Sequence, residues 1–105
     1  MVKQIKYNRQ VNNLLSVLKS LHMEEYQDSI YYYMGNNILP LLHINGHNVN
    51  IRYVFFKDYE ITFGLSALEI AEIVIKCLCI ENCVVSIAGD TYSVTDYKFK
   101  LFKND

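Results

Sequence analysis

Ser66-Ala67-Leu68-Glu69-Ile70-Ala71-Glu72-Ile73-Val74-Ile75-Lys76-Cys77-Leu78 decides how the rest of this chain is arranged. Ser66 followed three residues later by Glu69 is a capping box: the serine oxygen takes one orphan backbone N–H and the glutamate takes another. No Gly or Pro interrupts the residues that follow. At about 100° per residue, Glu69, Glu72 and Lys76 share one narrow stripe, and apolar side chains cover the remainder. A helix of that kind is buried on most sides. It organises a core and does not advertise a site.

Downstream of this helix the period becomes two. Val84-Val85-Ser86-Ile87-Ala88 and Thr91-Tyr92-Ser93-Val94-Thr95 flank Gly89-Asp90. A type II′ turn there pairs Ile87 with Tyr92 and Val85 with Val94, all apolar on one face. Tyr97, Phe99 and Leu101 then carry the next apolar set while Lys98 and Lys100 face away. This predicts a long last strand with a bulge or bend near Thr95-Asp96.

Upstream, Asn45-Gly46 is the strongest short hairpin signal in the chain, and it pairs Leu42 with Val49. Pro40 cannot donate to a ladder, so the strand before that turn is short or lies at an edge. Val49, Ile51, Tyr53 and Phe55 alternate with Asn48, Asn50, Arg52 and Val54. Tyr59-Glu60-Ile61-Thr62-Phe63 alternates in turn. A three-residue loop from Lys57 to Tyr59 keeps Phe55 beside Ile61 and Tyr53 beside Phe63, whereas a two-residue loop mixes the faces.

The N-terminal third reads as helical. Tyr7, Val11, Leu14, Leu15, Leu18 and Leu21 follow an amphipathic spacing. Met23, Tyr26, Ile30 and Tyr33 then begin a new stripe, which predicts a break near His22 and a second short helix stopping at Gly35-Asn36. The competing reading is a strand through Ile30-Tyr31-Tyr32-Tyr33-Met34, because Tyr and Ile favour strands. With the helical reading preferred, the expected fold is a single α+β domain over residues 1–105. It has two N-terminal helices and a mostly antiparallel sheet of about five strands. A core helix lies between the third and fourth strands, giving the order ααβββαββ.

Composition narrows the function classes. An apolar fraction of 51% suffices for a core, and folding buries roughly two-thirds of the surface of a chain this long. The net charge of -1 argues against a dedicated nucleic-acid binder. The first residues lack the apolar run of a signal peptide, and the longest apolar stretch is too short to span a bilayer. A cytoplasmic location is therefore expected, with no membrane association. Cys77, Cys79 and Cys83 read as free thiols in a reducing compartment.

No reaction chemistry stands out. His43 and His47 with Cys79 and Cys83 lack the compact spacing of a zinc site, and no metal or other cofactor is expected. There is no G-x-S-x-G elbow and no C-x-x-C, and the glycines are isolated at turns, so no phosphate-cradling loop is visible. Lys98, Lys100 and Lys103, with Lys3, Lys6 and Arg9, form the best nucleic-acid surface. Yet alternating lysines also suit an edge strand, so nucleic acid is disfavoured.

A tyrosine–acid face is the main candidate site. If residues 23–34 are helical, Glu24, Glu25, Asp28, Tyr31 and Tyr32 fall on the outer side, two tyrosines framed by three acids. Tyrosine supplies large contact area at low entropic cost, so these five residues are the expected partner-binding set. The sequence thus points to a small non-enzymatic protein-binding module that occupies a partner's basic cleft, with homodimerisation as a further option. Frequent Ile, Asn, Tyr and Lys, with scarce Ala, Arg and Pro, reflect AT-rich codons. That usage suits a phage or mobile-element protein, such as a stoichiometric inhibitor with an anti-defence role. The rival classes are a small nucleic-acid-binding regulator and an enzyme whose site assembles only in the fold.

Overall fold

The capped helix forms as its sequence requires. The Ser66 hydroxyl accepts the Glu69 N–H at 3.1 Å, and the Ser66 N–H donates to Glu69 Oε1 at 2.9 Å. The helix runs Ala67–Leu78 and buries Ile70, Ala71, Val74 and Ile75. Cys79 ends it at φ 53, where its N–H reaches the carbonyls of Ile75 and Lys76.

The computed structural model describes residues 2–58, 64–94 and 100–104, with residues 2–7 as backbone only. Along the chain run α1 (Val2–Lys19), β1 (His22–Tyr26), β2 (Ser29–Tyr33), β3 (Leu42–Asn45) and β4 (Asn48–Ile51). They are followed by α2 (Tyr53–Asp58), α3 (Ala67–Leu78), β5 (Cys83–Ile87), β6 (Asp90–Val94) and β7 (Leu101–Lys103). Among the described residues the strands form one seven-stranded sheet in chain order. Every neighbouring pair is antiparallel except β4 and β5, which are parallel. Parallel neighbours cannot be joined by a tight turn, so α2 and α3 lie in the crossover between them.

This overturns the expected ααβββαββ order: one N-terminal helix precedes the strands, and the sheet is mixed, with seven strands instead of about five. Residues 22–33 are the hairpin β1–β2, not a second helix. Gln27, at φ 57, opens a two-residue turn that sets Tyr26 against Ser29. The Met23, Tyr26, Ile30, Tyr33 stripe is split by strand alternation, two residues to each face. β2 is hydrogen-bonded on both sides, to β1 and β3, and that non-local pairing outweighs the local helical spacing.

The strand expected through Phe55 stops at Ile51. Phe55 and Phe56 are 1% and 0% exposed, with rings edge-to-face at 5.7 Å. A strand buried on one face sends one of two consecutive side chains outward, whereas a helical turn buries both. The expected strand at Tyr59–Phe63 lies outside the described residues, as do the bend at Thr95-Asp96 and the residues Tyr97, Lys98 and Phe99, whereas Lys57 and Asp58 of the expected loop are the last residues of α2. The single long last strand is replaced by β6 and β7, which pair antiparallel with Val94 opposite Leu101.

Both predicted hairpins exist, each displaced by one loop position. β3–β4 turns at Gly46-His47, with Ile44 opposite Val49 and Leu42 opposite Ile51. β5–β6 turns at Ala88-Gly89, both at positive φ (53 and 83), with Val85 opposite Tyr92. Moving a turn by one residue shifts the pairing by two, which preserves parity. The apolar sets therefore stay on one face.

That face holds the core. Val49, Ile51, Val85, Ile87, Tyr92 and Val94 from the sheet join Leu14, Phe55, Phe56, Ile70, Val74 and Ile75 from the helices in one buried cluster. Among the described residues, the helices pack on this side alone.

Candidate interaction surface

Strand alternation and register place His22, Glu24 and Tyr26 of β1 on the outer face of the sheet. Ser29, Tyr31 and Tyr33 of β2 and His43 and Asn45 of β3 lie beside them. Four of these rings form a row. His22 stacks on Tyr33 with centroids 5.7 Å apart, and Tyr33 lies 6.4 Å from Tyr31. Tyr31 lies flat on His43 at 4.5 Å and 3°. Offset stacks of this kind are worth about 0.5–1.5 kcal/mol beyond area burial. Beside the row, Asn45 Nδ2 donates to the Ser29 hydroxyl at 3.1 Å, which satisfies a serine that is only 7% exposed. His43 Nε2 is buried and has no hydrogen-bond partner among the described residues. Such an atom is costly, and the flat stack on Tyr31 holds the ring in place.

The five residues expected to bind a partner are divided by this fold. Glu24 and Tyr31 sit directly opposite one another on the outer face. Glu25 and Tyr32 point to the opposite face, where Tyr32 packs against the core. Asp28 lies in the exposed turn between β1 and β2. The helical face that was to unite all five does not exist. His22, Tyr26, Tyr33 and His43 complete the outer surface and were not among the candidates. Tyr33 follows from the strand reading of Ile30–Met34, since residues two apart share a face. His22 and His43 depend on inter-strand register, which has no local signal.

At the end of the sheet near His22 and Tyr33, the chain between β2 and β3 presents Ile38 at 90% exposure and Leu39 at 54%. An open groove of about 690 Å³ lies beside these residues, bounded also by Asn36, Arg52 and Asp58. A smaller depression of about 250 Å³ links Leu39 and Pro40 to His43 and Asn50. The aromatic row therefore grades into an exposed apolar tip. Gly35, at φ 58, and the Asn37 N–H on the Met34 carbonyl at 3.2 Å shape the start of that tip.

Elsewhere the chemistry is sparse. Among the described residues no three His, Cys, Asp or Glu side chains converge as a metal site. Cys77 and Cys79 are exposed free thiols, and Cys83 is buried, which pushes its thiol pKa up. Glu72 on α3 is held above the usual glutamate range, first by burial and then by the Glu69 carboxylate, with Lys100 opposing both. Lys103 and Asp90 form an exposed pair at 3.6 Å, a contact of little energetic weight. No described helix is long and apolar enough to cross a membrane.

Comparison with known protein families, with curated proteins and with solved structures finds no match to this chain.

Proposed function

We propose that this protein is a protein-binding module that acts by occupying a partner's surface with the outer face of β1–β3. The observation that carries the reading is the stacked row His22–Tyr33–Tyr31–His43, left without a covering helix among the described residues. Aromatic side chains held rigid by stacking offer contact area at low entropic cost, the property that distinguishes interface cores. Tyr26, 67% exposed on the same face, is the most available anchor. A row of rings on a sheet also suits stacking on bases, but here the outer-face charge on β1 is Glu24, Asp28 lies in the adjoining turn, and no lysine or arginine lies on β1 or β2. Acidic surroundings repel phosphate and favour a basic protein surface.

The test is capture from extracts of the source cell by immobilised protein, comparing the parent with Tyr26→Ala. The expected result is one protein retained in stoichiometric amount by the parent and lost by the variant, with both melting at the same temperature. Equal retention by the two proteins, or a bound species sensitive to nuclease instead of protease, overturns the reading.

A further inference from the structure

Among the described residues β1 is the outermost strand of the sheet on its side, and all five of its residues are exposed. Alternate residues of an edge strand turn their N–H and C=O groups away from the neighbouring strand, ready to pair with another chain. Proteins blunt such edges with proline, lysine, bulges or a covering loop. His22-Met23-Glu24-Glu25-Tyr26 has no proline, no glycine and no lysine, and pairs with β2 residue for residue without a bulge. Its protection consists of two consecutive carboxylates. Because they are consecutive, Glu24 projects on the outer face and Glu25 on the inner one.

Those carboxylates choose the occupant. A second copy pairing through its own β1 sets carboxylate against carboxylate. The antiparallel arrangement centred on Glu24 opposes the two Glu24 side chains, the one centred on Glu25 opposes the two Glu25 side chains, and parallel pairing offset by one residue opposes Glu24 to Glu25. Like charges directly opposite are destabilising. An extended segment with two adjacent cations meets both acids at once, one on each face. Its outer-face side chains then lie against His22 and Tyr26.

Resting on the protein-binding reading, we propose that the partner is engaged by strand addition: an extended, basic segment pairs with β1 as an eighth strand. Main-chain hydrogen bonds along the edge supply affinity, and Glu24 and Glu25 supply selection for cations.

The probe is a blocked heptapeptide of valine and threonine with two adjacent lysines at its centre, alongside a counterpart with two glutamates. Binding is read by fluorescence anisotropy, and location by amide hydrogen exchange of the full chain. The lysine peptide is expected to bind about tenfold or more tightly than the glutamate peptide at low salt, with the gap narrowing as salt screens the pairs. Amides of residues 22–26 should gain protection, and the double variant Glu24→Lys with Glu25→Lys should prefer the glutamate peptide. Equal binding of both peptides, or protection gained away from β1, overturns the proposal. So does concentration-dependent assembly of the protein alone that the double variant abolishes, because it gives the edge to β7 of another copy, which carries Lys103. A lysine peptide that fails to bind while capture still depends on Tyr26 removes strand addition and leaves the outer-face reading standing. A lysine peptide that adds to β1 while capture ignores Tyr26 keeps strand addition and moves the partner contact off the outer face.

Discussion

Tyr31 and Tyr32 are neighbours in the chain and belong to different parts of the molecule. Tyr32 turns inward from β2, packs against the core and lies opposite Leu42 of β3. Tyr31 turns outward, stacks flat on His43 and lies tilted beside Tyr33. The inner face is closed by α1, α2 and α3 and concentrates buried Leu, Ile, Val and Phe. No described helix covers the outer face, and its rings His22, Tyr33, Tyr31 and His43 pack on one another. Chemically similar residues therefore do different work: on one side they hold the fold together, and on the other they remain available for contact.

The sharpest way to break this contrast is to disturb what closes the inner face. Val74 is 0% exposed at the centre of α3. Val74→Asp places an unpaired charge in apolar surroundings, a penalty of several kcal/mol against a total stability of about 5–15 kcal/mol. The variant should lose its cooperative thermal transition by circular dichroism. A parent-like transition would mean that α3 does not seal the sheet.

A smaller loss is expected at the helix end. Ser66→Ala removes the hydroxyl that accepts the Glu69 N–H and should cost about 1 kcal/mol in chemical denaturation without altering the slope. Cap loss acts through α3, so it should leave outer-face binding unchanged at temperatures well below the transition.

The smallest effect concerns Glu72. Its pKa is raised in the folded protein, so the native state holds the proton more tightly than the unfolded chain does, and the carboxylate opposes folding once ionised. Stability therefore falls as pH rises from the ordinary glutamate range through the raised value, and below that range the penalty is absent. Glu72→Gln should melt slightly higher than the parent at neutral pH, and that advantage should vanish in acid. An advantage that persists in acid would remove ionisation as its cause.

What the sequence made legible follows the range of the forces involved. The capping box and the apolar circumference of Ala67–Leu78 are local, and the helix is where they place it. Parity is local too, so both hairpins keep their apolar faces although each turn sits one residue from its expected position. The hairpin β1–β2 was hidden because β3, its other support, lies beyond an eight-residue connection. Simple alternation extends a strand through Phe55-Phe56 because it does not register that both rings are buried, as they are in α2. At the surface, the helical spacing that grouped Glu24 with Tyr31 does not hold, and the two meet through the β1–β2 register. His22 and His43 likewise reach Tyr33 and Tyr31 only through register.

The central claim is that the two faces of β2 divide stability from binding, and the most direct measurement sets Tyr31→Ala beside Tyr32→Ala. Each variant is followed for its thermal midpoint and for capture of the partner from cell extract below that midpoint. Tyr32→Ala should lose about 2 kcal/mol or more of stability and keep the partner. Tyr31→Ala should lose about 1 kcal/mol, the worth of its stacking, and release the partner. The reverse assignment, with Tyr31→Ala unfolding and Tyr32→Ala abolishing capture, would contradict the account.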